Sequence, residues 1–139
     1  MSNLFKIFDV SGSALSAQSV RLNSVASNMA NAQVASQTPE GAYRSKHPVF
    51  ASVLDAAGQG GSTTPVRVVG VRESQAEPRA EHAPNHPLAD EQGYIYMPNV
   101  NVVEEMANMI SASRSYQNNV EVMNTTKQLL LRTLQLGQS

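Results

Sequence analysis

From residue 102 to residue 134 the chain steps by four and three without a break, through Val102, Met106, Met109, Ser113, Tyr116, Val120, Met123, Lys127, Leu130 and Leu134. That spacing is the seam of a helix that faces another helix. At ~1.5 Å per residue it predicts a cylinder of about 50 Å, longer than a compact domain of this size is wide. A chain holding such an element folds into an elongated shape or leans on partners. The start is signalled by Pro98, then by Asn101 as N-cap with Glu104 three residues on, a capping-box arrangement. Glu104 and Glu105 fall in the first turn, where the helix dipole favours negative charge. Gly137 is placed to end the helix. Within the stripe the three methionines read as adaptable packing, Ser113 as a point of close approach, and Lys127 as a side chain that snorkels to the edge.

A second series occupies the other end, through Leu4, Phe8, Ser11, Leu15, Gln18, Leu22, Val25, Met29 and Ala32. Ser11 and Gln18 weaken it before Leu22, and Gly12 inside it costs ~1 kcal/mol relative to alanine. Between Val10 and Thr38 the one charged side chain is Arg21; the other faces hold Ser13, Ser16, Ser19, Asn23, Ser27 and Asn31. A solvated helix usually carries Glu and Lys opposite its seam, whereas small hydroxyls and amides suit contact with further helices. The whole chain shares this bias. Only 15% of its 139 residues are charged, against about 25% in a typical soluble protein, and it has no Trp. Such a surface tolerates being covered, which points to a protein packed against neighbours.

Composition also excludes several classes. A net charge of −1 supplies no field for nucleic acid or acidic lipid. The absence of cysteine removes disulfides, thiolate metal sites and thiol nucleophiles. No run approaches the ~20 apolar residues of a spanning helix. The opening residues 1–9 lack the apolar stretch of a secretory signal, which reads as cytoplasmic unless a dedicated machine exports the chain.

Between Ala35 and Pro98 the helical period is lost, and all seven prolines fall there. Residues 58–65 read as a flexible connector. Val66–Arg72 and Tyr94–Met97 are the β candidates, expected as two strands of one small element resting on the helices or on another subunit. The expected fold is therefore mainly α. A helix in residues 1–34 and a longer one in 99–137 pair as an antiparallel coiled-coil hairpin, with 35–98 forming an irregular, small β lobe.

No constellation argues for an enzyme. His82 and His86 are four apart, a spacing that suits zinc on a continuous helix, but Pro84 and Pro87 interrupt any helix there. Asp90 and His47 are the remaining candidate ligands, at no recognisable interval. Gly58, Gly60 and Gly61 lack the lysine and helix of a phosphate loop. Arg67, Arg72 and Arg79 are interleaved with Glu73, Glu77 and Glu81, so they form no basic patch.

Three segments carry a resemblance. Residues 22–32, Leu-Asn-Ser-Val-Ala-Ser-Asn-Met-Ala-Asn-Ala, are similar to the N-terminal signature of bacterial flagellar axial proteins, the rod and hook group. Residues 103–119, from Val103 to Asn119, resemble the matching C-terminal signature. Residues 86–94, leading into 97–101, are similar to the proximal-rod members, which the short length also suits. The resemblance spans essentially the whole chain. It implies a structural subunit of the basal-body rod, with neither cofactor nor small-molecule substrate, no nucleic acid and no membrane insertion. It further implies export without a cleaved signal through the flagellar export apparatus. Assembly would then follow in the periplasm, with copies of itself and with other rod and basal-body proteins. The terminal helices would form the wall of a helical tube. The expected subunit-interface residues are Leu15, Leu22, Val25 and Met29, then Val102, Met106, Met109, Tyr116, Val120, Met123, Leu130 and Leu134. A soluble coiled-coil export adaptor or chaperone is the alternative, and it would be expected to have charged outer faces. A metal-dependent wall hydrolase lacks a site.

Overall fold

The computed structural model describes residues 2–53 and 64–137, so most of the connector expected at 58–65 lies outside the described residues. Helix α1 is Ser2–Asn31, and strands β1 (Lys46–Ser52), β2 (Val66–Glu73), β3 (Arg79–His82) and β4 (Tyr94–Met97) precede helix α2, Val102–Leu136. With 30 and 35 residues, the helices are about 45 and 52 Å long. The N-cap half of the capping box read from the sequence forms: the Asn101 side chain accepts from the backbone N–H groups of Val103 (3.1 Å) and Glu104 (3.3 Å). At the far end Gly137 does close the helix, but at φ −80°, in the right-handed region. Its N–H donates to the Thr133 carbonyl at 3.1 Å.

The two β candidates do not pair with one another. Val66–Glu73 pairs antiparallel with β1, from Lys46↔Glu73 to Ser52↔Val66, with a register slip between Val49 and Phe50. Tyr94–Met97 pairs instead with β3, from Arg79↔Met97 to His82↔Tyr94. The expected single element is thus two separate hairpins. Strand β1 hid behind Pro48, which is tolerated because a two-stranded sheet consists of edges. Strand β3 is exposed at every position and so has no apolar alternation to reveal it. Ser36 bridges β4 through two backbone bonds with Tyr96, at 2.8 and 2.9 Å, which ties this hairpin to the chain leaving α1.

Helix α1 packs against α2 and also against both strands of the β1–β2 hairpin. Asn28 bonds to Glu105 and Arg21 to Asn108, so a later residue of α1 meets an earlier one of α2, the ordering of an antiparallel pair. The buried hydrophobic residues are Ala17, Val25, Ala32, Ala42, Ile95 and Ala112. Alanine dominates, so these elements approach closely without burying much apolar area.

Candidate assembly surface

Asn28 is the best-connected side chain of the hairpin. It is fully buried, and all four of its hydrogen-bonding positions are filled. Its Oδ1 accepts from the Lys46 backbone N–H at 2.7 Å and from the Tyr43 hydroxyl at 2.9 Å. Its Nδ2 donates to the Lys46 carbonyl and to Glu105 Oε2, each at 3.0 Å. With the Tyr43 proton committed to Asn28, the Ser27 hydroxyl donates to the Tyr43 oxygen at 3.0 Å. One amide therefore joins α1, the start of β1 and the first turn of α2. A buried amide left partly unpaired would be costly, so complete satisfaction makes this junction specific as well as tolerable. Ser13 Oγ adds a second tie, accepting from the Val66 N–H at 3.1 Å.

The face that α2 turns inward differs from the stripe of its largest apolar residues. Its buried positions are Glu105, Ala112 and Thr126, and Met109, Asn119, Met123 and Leu130 are partly buried. Steps of four, three and, across the exposed Tyr116, seven link them, with 105, 112, 119 and 126 lying one residue before 106, 113, 120 and 127 of the expected seam. The inward face is rotated by about half a residue's turn. Of the residues expected at subunit contacts, Val25 is buried inside the chain. Leu15, Leu22, Met29, Val102, Met109, Val120, Met123 and Leu130 are partly buried, whereas Met106, Tyr116 and Leu134 are exposed. Val103 and Ile110 join Met106 on the outside, at 75% and 57% exposure. They extend an apolar outer stripe 103–106–110 that the reading of a single seam missed. Periodicity detects an apolar stripe but does not distinguish the face used within the chain from the face left over.

The histidine loop is held by its own contacts. The His82 ring lies edge-on to Tyr94 with centroids 5.1 Å apart, and His86 Nδ1 accepts from the Leu88 N–H at 3.1 Å. Among the described residues no three of His, Asp and Glu converge in a way that would hold a metal ion. Asp90 is the organiser of this loop: its Oδ1 accepts from the N–H groups of Gln92 (2.9 Å) and Tyr94 (2.8 Å), and its Oδ2 from the Tyr96 hydroxyl (3.2 Å). The Tyr94 N–H, followed by those other donors, holds the carboxyl below the usual carboxylate range against an opposing desolvation. Desolvation, with the Asp90 bond second, pushes the Tyr96 hydroxyl up.

The segments carrying this geometry match known families. Residues 8–35, covering most of α1 and Asn28, match the family described as flagella basal body rod protein. Residues 91–136, covering β4 and α2, match the flagellar basal body rod FlgEFG protein C-terminal family. Relatives also match from end to end. The flagellar basal-body rod protein FlgC of Salmonella typhimurium is 53% identical over 135 residues, 97% of this chain and 98% of its own. The FlgC of Yersinia enterocolitica is 54% identical over 136 residues, 98% and 99% of the two chains. That of Bacillus subtilis is 34% identical over 146 aligned positions, 96% and 97%. Both terminal helices match rod-protein families and relatives match over nearly the whole of both chains, so the chain belongs to the flagellar basal-body rod protein family, most like its FlgC members.

Proposed function

We propose that this chain is a structural subunit of the proximal part of the flagellar rod and assembles with copies of itself and with other basal-body rod proteins. End-to-end similarity to FlgC proteins is the observation that carries this reading. The physical features agree with it: a core built largely of alanine, and an apolar outer stripe on a 35-residue helix. In this reading the exposed members of the α2 stripes, Met106, Tyr116 and Leu134 with Val103 and Ile110, form coiled-coil-like contacts with neighbouring subunits. Partly buried members such as Val120 and Met123 serve both the hairpin and its neighbours. The chain works in the periplasm, having passed through the flagellar export apparatus without a cleaved signal. No helix among the described residues is long and apolar enough to cross a membrane. An export adaptor gains no support from relatives that are themselves rod proteins.

The test is a strain whose own gene for this chain is deleted and replaced by tagged versions. The unsubstituted chain restores swimming and co-purifies with isolated basal bodies. Ile110→Asp, which places a charge on the outer stripe and leaves the hairpin intact, is exported but does not enter basal bodies. Normal swimming in the deletion strain would overturn the rod reading. Normal incorporation of Ile110→Asp would remove the outer stripe from the subunit contacts.

A further inference from the structure

Pairing of the strands separates two arginines from the acids interleaved with them in the sequence. Strand β2 carries one residue more than β1: Val49 faces Gly70 and Phe50 faces Val68, which leaves Val69 unmatched. Side chains alternate between the two faces of a strand, so Arg67 and Arg72, five positions apart, would emerge on opposite sides of a regular one. The extra residue removes that offset. Arg67 lies across from Ala51, Gly70 from Val49 and Arg72 from His47, and positions 47, 49 and 51 share one face of β1. Both arginines therefore stand on that face, about 14 Å apart along the strands. Glu73, next to Arg72 in the sequence, lies across from Lys46 on the other face.

The arginine face is the outer one. A Cβ built on Gly70 meets nothing within 4 Å, and His47, Val49, Arg67 and Arg72 are exposed. On the opposite face Pro48, Val66 and Val68 are half-buried against the rest of the chain. Neither arginine bonds to any of the described residues. Between the two cations, Val49 borders the shallow place left by Gly70. An apolar centre with charge at its rim has the anatomy of a protein contact. Two arginines are too few to hold nucleic acid or an anionic membrane, which take runs of basic residues. A second copy is also a poor match. Its acids spaced four apart are Glu73, Glu77 and Glu81. Arg44 donates to the carbonyls of Ser74 and Ala76 between the first two, and Arg79 stands between the last two.

We propose that the outer face of the β1–β2 hairpin receives an extended acidic segment of a different protein. Two carboxylates four residues apart reach Arg67 and Arg72, and an apolar side chain midway rests over Gly70 beside Val49. Side chains four apart on a strand share a face and are spaced as the two arginines are. The inference goes beyond the rod reading and does not depend on it.

The test titrates the full-length chain, labelled with nitrogen-15, with a capped seven-residue threonine peptide. The peptide carries valine at its centre and glutamate at its second and sixth positions; an isomer with glutamates at the second and fifth positions sets them on opposite faces. The amide resonances of Arg67, Gly70 and Arg72 should move saturably, with about threefold weaker affinity for the isomer. Arg67→Glu and Arg72→Glu should each abolish the movement, Arg72→Lys should retain most of it, and Gly70→Val should weaken binding by filling the central place. Equal affinity for the isomer would overturn the proposal, and so would movement confined to other residues or none at all in a folded chain. Tighter binding of phosphatidylglycerol vesicles or of short duplex DNA through the same arginines would overturn it in favour of those partners. Incorporation of the tagged chain into basal bodies tests the rod reading separately. Incorporation without peptide binding sinks this contact alone, and peptide binding by a chain absent from basal bodies sinks the rod reading alone.

Discussion

Asn28 illustrates how much of a thin-cored protein can hang on one amide. Truncation to alanine leaves the Lys46 N–H, the Tyr43 hydroxyl and the buried Glu105 carboxylate each short of a partner, and costs on the order of 3 kcal/mol. Urea denaturation of Asn28→Ala should show that loss, and a change below about 0.5 kcal/mol would demote the junction to a surface contact. Asn28→Asp is the sharper variant. It sets a second carboxylate where Nδ2 lies 3.0 Å from Glu105 Oε2, so at neutral pH two like charges are buried together. Protonating either one restores a donor, and the variant should gain stability relative to the parent as pH falls from 7 toward 5. Asp90 has the opposite dependence. Its folded-state pKa lies below the unfolded value, so its contribution is present above the unfolded carboxylate range and is lost as pH falls through the lowered value. Amide resonances of Gln92 and Tyr94 should therefore hold their folded shifts down to about pH 4 and move only below it. Movement centred well above pH 4 would contradict the bonding described for this loop. The role of Asp90 was hidden in the sequence, where it stood as a remote candidate for a metal. Its function depends on a turn that brings the backbone of residues 92 and 94 onto one carboxylate.

Among the elements, the helices were legible and their faces were not. Asn101, Glu104 and an unbroken four-three spacing are local signals, and α2 begins where they predict. Which side of α2 meets α1 is a tertiary matter, decided by Asn28, Arg21 and a fully buried alanine instead of by the largest apolar residues. Ala112 is 0% exposed, so Ala112→Leu overfills the closest approach and should cost about 2 kcal/mol in the isolated chain. Met106→Gln, one face round and half exposed, should leave the urea midpoint almost unchanged while impairing swimming. Equal destabilisation by both would mean that the helix packs on the expected seam after all. Gly12 offers the reverse case. A Cβ built there meets nothing within 4 Å, so the glycine only weakens α1, and Gly12→Ala should stabilise the isolated chain by about 1 kcal/mol. A loss of stability on that change would show that α1 bends at this glycine. The strands were half legible, since β2 and β4 are rich in valine or tyrosine and isoleucine. Their partners contain Pro48 or four exposed residues, and no local pattern marks those.

At the scale of the whole molecule, the low charge and the lack of Trp pointed to a chain packed against neighbours, and its own core is small. The structure shows where that core is concentrated. Asn28, Glu105, Lys46 and Tyr43 tie the two helices and the β1–β2 hairpin together at one pole, one helical turn from the buried Ala32. Among the described residues the outer part of the helical hairpin has no comparable knot, and the last six residues of α2, Leu131–Leu136, are all exposed. Helical propensity alone holds a segment of that length poorly, because hydrogen bonds gained per turn barely offset the ordering of the backbone. In dilute solution, amide exchange along α2 should therefore be graded. Protection should be greatest from Glu105 to Ala112, intermediate through Thr126, and smallest from Leu131 to Leu136. Incorporation into basal bodies should raise protection most in the last segment, because that is where neighbours supply what the isolated chain lacks. Uniform protection along α2 in the dilute monomer would show that the hairpin is stable throughout on its own. Assembly would then add contacts to a finished fold, and the apolar tip would need an explanation other than a subunit completed by its neighbours.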